Sequence, residues 1–396
     1  MKFAQRLAQL GTETAFAVSA EATAYAKEGH QVFPFHLGDI NLKTPQNIID
    51  AAFSAANKGK TGYCPNSGIP ELRACLAEEI GLARGVNYDA ENVVVQPGGK
   101  PSIGKFILSA INPGDEVLYP NPGYPIYESQ IEFHGGKAVP YSYKEGPLNF
   151  ELDLPAIEKS ITSKTRAIVY NDLQNPTGAE STLEEMQRVA DIAIKHDLIV
   201  LSDEAYFDIR YEGRSQSIAS LPGMKQRTLI LYTFSKKYAM TGWRLGASIG
   251  PKKLIDIIAK LNVNDESCSN HFIQFGAIEA LTGCQSGPKE ILTTLKTRRD
   301  KTIELLEHIP GVRCYRPNAT FYLYPNVTKL MFEKGFTDYE DFRKTVLKNT
   351  GVAFCTRAHF GRQDSSEREY YIRLAYSGID VNAIEQGMEK FKRWAE

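Results

Sequence analysis

Short apolar runs alternate along the chain with longer amphipathic segments, and this alternation predicts the secondary structure. Four runs rich in valine, isoleucine and leucine have the length and the bounding turns of buried strands. They are residues 93–96, 166–171, 198–203 and 228–232. Residues 181–197 instead repeat apolar side chains at helical spacing, and Ser181 and Glu184 are placed to form a capping box. Strands that alternate with helices predict an α/β fold whose mainly parallel sheet carries helices on both faces.

The length of the chain indicates more than one domain. Its 396 residues exceed the roughly 250–300 beyond which a single core usually divides. We expect a large domain at about 45–285, a hinge at Gly283–Pro288 and a small C-terminal domain at 286–396. Residues 1–44 would then form an N-terminal arm and part of the small domain.

Composition favours a water-soluble enzyme. Apolar residues make up 42% of the chain and the formal net charge is −1, so neither nucleic acid nor a membrane is an expected partner. No apolar stretch is long enough to span a bilayer, and the first residues lack the apolar core of a secretion signal. The six cysteines show neither Cys-x-x-Cys nor metal-like spacing with histidine. We therefore expect free thiols, a cytoplasmic location and no metal site.

The segment after the fourth strand brings together groups that an aldehyde cofactor with a phosphate would need. Ser235, Lys236 and Arg244 supply a hydroxyl, an amine and a guanidinium within ten residues. A lysine can form an imine with the aldehyde, and the phosphate needs donors and positive charge at a fixed distance from that imine. A Ser-Lys-Lys sequence by itself is more often a solvated surface turn, so the interpretation depends on the other segments.

Two further polar groups follow the ends of predicted strands. Asp203 ends the third run and Tyr206 comes three residues later. The carboxylate could keep a pyridine nitrogen protonated and the hydroxyl could donate to a phenolic oxygen. Asn175 lies in the loop after the second run, where its amide could donate to a phenolate or to a carboxylate. A solvated acid, a packed tyrosine and an asparagine turn are the structural alternatives.

The first predicted strand leads into Gly98-Gly99-Lys100-Pro101, a glycine turn followed by a helix start. Backbone N–H groups at such a helix start can face a phosphate, although proline and glycine also begin ordinary helices. The turn is not a P-loop, because the earlier glycine and the Lys-Ser/Thr ending are missing.

Taken in order, these segments resemble the class I aminotransferases, pyridoxal-phosphate enzymes of the aspartate aminotransferase fold type. The motifs at 175–178, 202–206 and 235–244 occur in the family's order and at spacings that it allows. The resemblance implies pyridoxal 5'-phosphate as the cofactor. It also implies a large domain with a mainly parallel seven-stranded sheet flanked by helices, and a smaller α+β domain.

The resemblance implies a role for each matching residue. Lys236 is similar to the lysine that forms the imine and moves the substrate proton, whereas its neighbour Lys237 is expected to be exposed. Asp203 matches the partner of the pyridine nitrogen, and Tyr206 and Asn175 match the pair on the phenolic oxygen. Other residues match the phosphate site and the aromatic ring that stacks on the cofactor. They are Gly98, Gly99, Lys100, Ser235 and Arg244 for the phosphate, and Tyr124 for the ring.

The same resemblance implies how substrate and a second subunit are engaged. Arg373 matches the arginine that holds the α-carboxylate in a bidentate grip, and Gly38 matches a glycine whose backbone approaches the same group. A salt bridge on a half-exposed strand is the structural alternative for the arginine. Tyr63 matches a tyrosine that reaches the phosphate of the neighbouring subunit, so a homodimer is expected.

Two departures from the relatives bear on substrate. Residues 172–174 are Asp, Leu and Gln, where relatives commonly carry Ser, Pro and Asn. Residues 264–270 lie near a loop that supplies a basic residue in some aspartate-specific relatives, yet they include Asp265 and Glu266 and no Lys or Arg. Two acids near a dicarboxylate would repel it, so we expect a preferred amino acid that is not simply aspartate. Ordinary surface acids are the alternative explanation.

The sequence therefore predicts a transaminase that passes the amino group of an L-amino acid to a 2-oxo acid. It would work by a ping-pong mechanism through an internal aldimine at Lys236. A lyase or synthase of the same fold is the alternative within this family. A regulator fused to a DNA-binding domain would need a basic helix-turn-helix extension, which is absent, and the missing P-loop disfavours a phosphotransferase.

Overall fold

A computed structural model describes residues 1–11 and 14–396. Thr12 and Glu13, which fall in the predicted N-terminal arm, lie outside the described residues. The helices are α1 (Ala15–Lys27), α2 (Gln46–Asn57), α3 (Pro70–Arg84), α4 (Lys100–Ala110), α5 (Ile126–Phe133), α6 (Leu154–Lys159), α7 (Leu183–Lys195), α8 (Lys252–Asp265), α9 (His271–Thr282), α10 (Ser286–Leu306), α11 (Thr328–Glu333), α12 (Tyr339–Thr350) and α13 (Val381–Ala395). Short 3-10 helices cover Gln5–Gln9, Ala90–Asn92, Ile218–Ser220, Thr241–Trp243 and Arg357–His359.

The described residues form fourteen strands, and seven of these make the sheet at the centre of the larger part of the molecule. The strands are β1 (Phe33–Pro34), β2 (Val93–Gln96), β3 (Glu116–Pro120), β4 (Lys137–Tyr141), β5 (Tyr143–Glu145), β6 (Phe150–Leu152), β7 (Thr165–Tyr170), β8 (Ile199–Asp203), β9 (Thr228–Thr233), β10 (Gly246–Ile249), β11 (Tyr322–Leu323), β12 (Val352–Ala353), β13 (Cys355–Thr356) and β14 (Ile372–Ala375). The order in the large sheet is β2-β10-β9-β8-β7-β3-β4. Only β10 runs antiparallel to its neighbours. The predicted α/β fold with a mainly parallel sheet is confirmed.

Alternation along each strand explains why helices cover both faces of this sheet. Side chains of successive strand residues point to opposite faces. Val94 therefore packs with α4, α5 and α8, whereas Val93 and Val95 pack with α3 and α9. In the same way, Leu231 faces the first group of helices and Ile230 the second. Strands that are buried on both faces read as continuous apolar runs, as the four predicted strands do.

A second core surrounds a three-stranded antiparallel sheet of order β11-β14-β13. Helices α10, α12 and α13 pack on it, and their apolar residues belong to one buried cluster with those of the sheet. The parallel pair β1-β12 joins the N-terminal part of the chain to this core. Strand β14 carries Arg373, so the second core positions that side chain.

One detail of the helical predictions is wrong. The N-terminus of α7 is capped by Thr182 with Glu185, not by Ser181 with Glu184. Ser181 is displaced from this role because its backbone N–H donates to the Asp172 carboxylate at 2.9 Å. Helix α9 ends at Thr282 and α10 begins at Ser286, so the link between them lies within the predicted hinge segment 283–288.

Candidate active site

A cavity of about 560 Å³ opens at the carboxyl ends of β7, β8 and β9, where ligands bind in open α/β sheets. Most of the predicted site residues line it. They are Gly38, Gly99, Lys100, Tyr124, Asn175, Asp203, Tyr206, Ser235, Lys236, Arg244 and Arg373. Among the residues that the structure describes, the lining includes four of these cationic side chains but, besides Asp203, only Asp39 as a carboxylate. The resulting positive balance suits a ligand with anionic groups.

Lys236 projects its amine into this cavity from the turn after β9. Its Nζ donates to the backbone oxygen of Gly38 at 3.0 Å and lies 5.4 Å from the ring centre of Phe321. The next residue, Lys237, was predicted to be exposed, but it is not. Lys237 is half-buried because its amine pairs with Asp208 at 3.4 Å, on the side of the turn away from the cavity lining.

The Asp203 carboxylate lies buried where β8 ends. Burial raises its pKa, while a hydrogen bond from Tyr127 acts in the opposite direction. The Tyr127 hydroxyl donates to Oδ2 at 2.5 Å, and the Ala205 backbone N–H donates to Oδ1 at 3.1 Å. A carboxylate held in this way is a strong partner for a buried protonated nitrogen.

Backbone N–H groups and hydroxyls gather at the opposite end of the cavity. Helix α4 begins at Lys100, directly after Gly99, and both residues line the cavity, so the positive end of the helix dipole lies at this end of it. Gly98 does not line the cavity but closes this end from below. Its φ is +100°, and a Cβ there would lie 2.3 Å from Nη2 of Arg244. The hydroxyls of Thr233 and Ser235 are 2.8 Å apart.

Arg373 enters the cavity from β14 and is almost fully buried. Its guanidinium donates to Oδ1 of Asn175 at 3.0 Å and to the His36 backbone oxygen at 2.7 Å. The aromatic rings of Tyr322 and Phe360 lie on it, with Cζ 4.5 Å and 4.6 Å from their centres. The guanidinium is therefore held in one orientation, as a bidentate carboxylate site requires.

The sequence reasoning missed several residues of the site. Tyr127 lies in the first turn of α5, three positions after the predicted ring of Tyr124, so its nearness to that residue in the sequence was a usable signal. Tyr322 and Phe360 come from distant segments and carry no such signal. Tyr322 places its hydroxyl 2.7 Å from that of Tyr206.

Residues 172–174 lie outside the cavity lining; Leu173 and Gln174 are buried and Asp172 is partly buried. Gln174 donates to the Pro122 oxygen at 2.7 Å and accepts from Thr177. It therefore ties the loop that precedes Tyr124 to the loop that carries Asn175. This glutamine fixes the relative position of the two loops without contributing to the cavity wall.

Asp265 and Glu266 do not line the cavity either. The buried amine of Lys105 contacts Glu266 at 2.5 Å and Asp265 at 3.9 Å. The expected discrimination against aspartate therefore gains no support from these acids within their own chain. Tyr63 also lies outside the cavity lining and is 89% exposed.

The described residues contain neither a candidate metal cluster nor a candidate membrane-spanning helix. Within 1–11 and 14–396, no group of three or more His, Cys, Asp or Glu side chains is arranged to hold a metal ion. None of the helices in that part of the chain combines the length and the apolar character needed to cross a bilayer.

Pyridoxal phosphate matches the donor set of this cavity. A buried carboxylate suits its ring nitrogen, a lysine amine suits its aldehyde, and a helix N-terminus beside a guanidinium suits its phosphate. The arginine on β14 then remains for the carboxylate of an amino acid. The groups that the cofactor needs are thus present in one cavity.

Comparisons with known sequences and structures agree with this assignment of the cofactor. The model of the aminotransferase class I and II family matches residues 31–391. The chain is 32% identical to the aspartate aminotransferase of Bacillus subtilis over 100% of this chain and 99% of the relative. It is also 32% identical to the asparagine–oxo-acid transaminase of Streptococcus mutans, covering 98% and 100% of the two chains. The structure of aspartate aminotransferase from Thermus thermophilus with maleate superimposes with a TM-score of 0.90, at 28% identity and 99% coverage of both chains.

These relatives favour amino-group transfer over the lyase or synthase alternative. The protein is a transaminase that uses pyridoxal phosphate to pass an amino group from an amino acid to a 2-oxo acid. With the family model covering most of its length, the chain belongs to the class I and II aminotransferases.

Proposed function

We propose that this transaminase carries out its chemistry with Lys236 as the residue that bonds to the cofactor aldehyde and afterwards moves the substrate proton. One observation carries the proposal: the Lys236 amine, the buried Asp203 carboxylate and the Arg373 guanidinium line the same cavity. Once the substrate takes its place on the cofactor, the free Lys236 amine could accept the proton of the substrate carbon and pass it to the cofactor.

The remaining cavity residues would hold the cofactor in one orientation. Asp203 would accept from the ring nitrogen, Tyr124 would stack on the ring, and Tyr206 and Asn175 would donate to the phenolic oxygen. The phosphate would be bound by Ser235, Arg244 and the backbone around Gly98, Gly99 and Lys100. When bound, the cofactor supplies an electron sink for the bond that breaks at the substrate carbon.

Arg373 would select for amino acids by binding their α-carboxylate, with Gly38 and Asn175 beside it. Its existing bond to Asn175 and the two flanking rings support this role. A carboxylate between these groups would be oriented by a planar fork rather than by a point charge. The amino group of the bound amino acid would then face Lys236, whose amine donates a hydrogen bond to the Gly38 oxygen at 3.0 Å.

We further propose a dicarboxylic donor such as aspartate in place of the discrimination against aspartate expected from the sequence, because Asp265 and Glu266 contact Lys105 and lie outside the cavity lining. The Lys100 amine lies 5.7 Å from the ring centre of Tyr124 and 6.0 Å from that of Phe16. The lining thus carries a cationic side chain in addition to Arg373, Lys236 and Arg244, which suits a donor with a second carboxylate. Relatives named aspartate aminotransferase and a neighbouring structure with maleate support the same choice.

The oligomeric state, the cellular location and the domain division are also proposals. We propose a homodimer in which Tyr63 completes the phosphate site of the partner. The loop of Tyr63 contacts His271, and Phe272 packs near Phe53, which is 58% exposed. This apolar surface would be covered by a second copy. We also propose a cytoplasmic enzyme whose large domain spans 45–285, with 286–396 and residues 1–44 forming the small domain and the arm.

A donor screen tests the function. Aspartate, alanine, phenylalanine and lysine would be offered with 2-oxoglutarate, and the cofactor absorbance and the oxo-acid product would be followed. We expect aspartate to turn over fastest. Replacing Lys100 with alanine should lower kcat/KM for aspartate by about tenfold more than kcat/KM for alanine, the value of one partly exposed ion pair and hydrogen bond. Equal losses for both donors would contradict the proposed role of Lys100.

A further inference from the structure

The Tyr322 hydroxyl occupies a junction between the groups assigned to cofactor and to substrate. It lies 2.7 Å from the Tyr206 hydroxyl, and both side chains are buried. The Tyr322 ring packs on the Arg373 guanidinium at 4.5 Å. Its hydroxyl also approaches Gly38 so closely that a Cβ there would lie 2.2 Å from it. Tyr322 therefore contacts three groups of the proposed site, although nothing in the reaction described so far uses it.

Counting protons fixes the direction of the hydrogen bond between the two hydroxyls. Burial and the neighbouring Tyr322 raise the pKa of Tyr206 far above its ordinary value, so this hydroxyl stays protonated. A tyrosine hydroxyl has a single proton to donate. If Tyr206 gives that proton to the phenolic oxygen of the cofactor, it must accept in its contact with Tyr322.

We propose that Tyr322 is a positioning residue that donates to Tyr206 and thereby strengthens the hydrogen bond from Tyr206 to the cofactor. The inference rests on the proposed role of Tyr206. A hydroxyl that accepts one hydrogen bond becomes a better donor in the next, by roughly 10–30% of the bond's strength. Tyr322 thus acts on the cofactor through Tyr206 while its ring holds Arg373.

The expected effect is a change in the proton affinity of the nitrogen that joins cofactor and protein. That nitrogen is stabilised in its protonated form by the negative charge of the adjacent phenolic oxygen. A donor that draws charge from this oxygen lowers the nitrogen's proton affinity, and losing the donor raises it. The transition appears in the visible absorption of the cofactor-loaded protein as pH is varied.

The experiment compares three phenylalanine variants of the loaded protein by spectrophotometric titration. Tyr206→Phe removes a bond to a charged acceptor and should move the midpoint upward by about 1–2 pH units. Tyr322→Phe keeps the ring on Arg373 and should move it upward by about 0.1–0.6 units, the cooperative fraction of that shift. Tyr211→Phe is the matched control, because its hydroxyl also meets a tyrosine, Tyr376, at 3.0 Å but lies outside the cavity lining. It should leave the midpoint unchanged.

The double variant Tyr206→Phe/Tyr322→Phe separates coupling from an independent effect. If Tyr322 acts through Tyr206, the double variant shifts no further than Tyr206→Phe alone. Additive shifts, or a Tyr322→Phe midpoint equal to that of Tyr211→Phe, would overturn the inference and leave the proposed role of Tyr206 standing. No shift in Tyr206→Phe would overturn that role and the inference together.

Discussion

Replacing Asp172 with asparagine should stabilise the protein at alkaline pH. Asp172 lies two residues after the end of β7. Its carboxylate accepts from the Ser181 backbone N–H at 2.9 Å and from the Tyr170 hydroxyl at 3.2 Å. Burial is the main cause that raises its pKa from 3.8 to about 7. Asparagine keeps the acceptor oxygen but carries no charge to bury.

The size of the effect follows from this difference in pKa. A rise from 3.8 to about 7 corresponds to roughly 4 kcal/mol, at about 1.4 kcal/mol for each unit. One edge of the Asp172 side chain remains partly accessible to water, which reduces the cost of the charge. We therefore expect a gain of about 2–4 kcal/mol in the free energy of unfolding.

The sign of the pH dependence is also fixed. Because the folded-state pKa lies above the unfolded one, the carboxyl contributes stability below about pH 4 and that contribution is lost as the pH rises to about 7. Asp172→Asn does not ionise and loses nothing over this window. The two proteins should be similarly stable near pH 4 and should diverge up to pH 7, with a constant difference above it.

Urea denaturation of both loaded proteins between pH 4.5 and 9 measures this difference. Asp191→Asn provides a control, since Asp191 lies exposed on α7 and accepts only from Gln187 among the described contacts. Its denaturation curves should follow those of the original protein at every pH. Parallel curves for Asp172→Asn and the original protein would refute the buried-charge reasoning, as would a difference that shrinks with rising pH.

Three further changes probe the cavity itself. Tyr127→Phe removes a charge-assisted bond to Asp203 worth about 1.5–3 kcal/mol, so kcat/KM should fall about 10–150-fold, and unchanged kinetics would contradict the contact. Gly98→Ala forces a side chain into φ +100° beside Arg244 at a cost of about 1–3 kcal/mol; equilibrium titration of the apoprotein should show at least about fivefold weaker cofactor binding. Arg373→Lys loses the planar fork and should lower kcat/KM for amino acids by about 100-fold or more without weakening cofactor binding; a loss of cofactor affinity instead would place Arg373 elsewhere in the mechanism.

The sequence was sufficient to predict which polar side chains converge where these side chains come at the ends of apolar strands. Asp203, Asn175 and Ser235 each follow a strongly apolar strand, and parallel strands end at the same sheet edge, so their convergence could be predicted. The hydrophobic alternation that sets the strands also sets which helices cover each face. The pattern of strands along the chain was therefore enough to predict most residues on the cofactor side of the cavity.

Contacts between distant segments could not be predicted in this way. The pair Tyr206–Tyr322 joins residues 116 positions apart, and only the packing of the second core on the first brings them together. The capping of α7 by Thr182 depends on Asp172, which holds the backbone of Ser181 from another loop. The half-burial of Lys237 likewise depends on Asp208. Each of these outcomes is set by tertiary structure rather than by the neighbouring sequence.

Borohydride reduction of the loaded protein, followed by peptide mapping, tests the central claim most directly. If the Lys236 amine bonds to the aldehyde carbon of the cofactor, reduction fixes that bond permanently, with two hydrogen atoms added across it. The predicted result is one cofactor-labelled peptide, with the label on Lys236 and none on Lys237. Labelling of another lysine with Lys236 unmodified, or a protein that stays colourless after saturation with pyridoxal phosphate, would contradict the account.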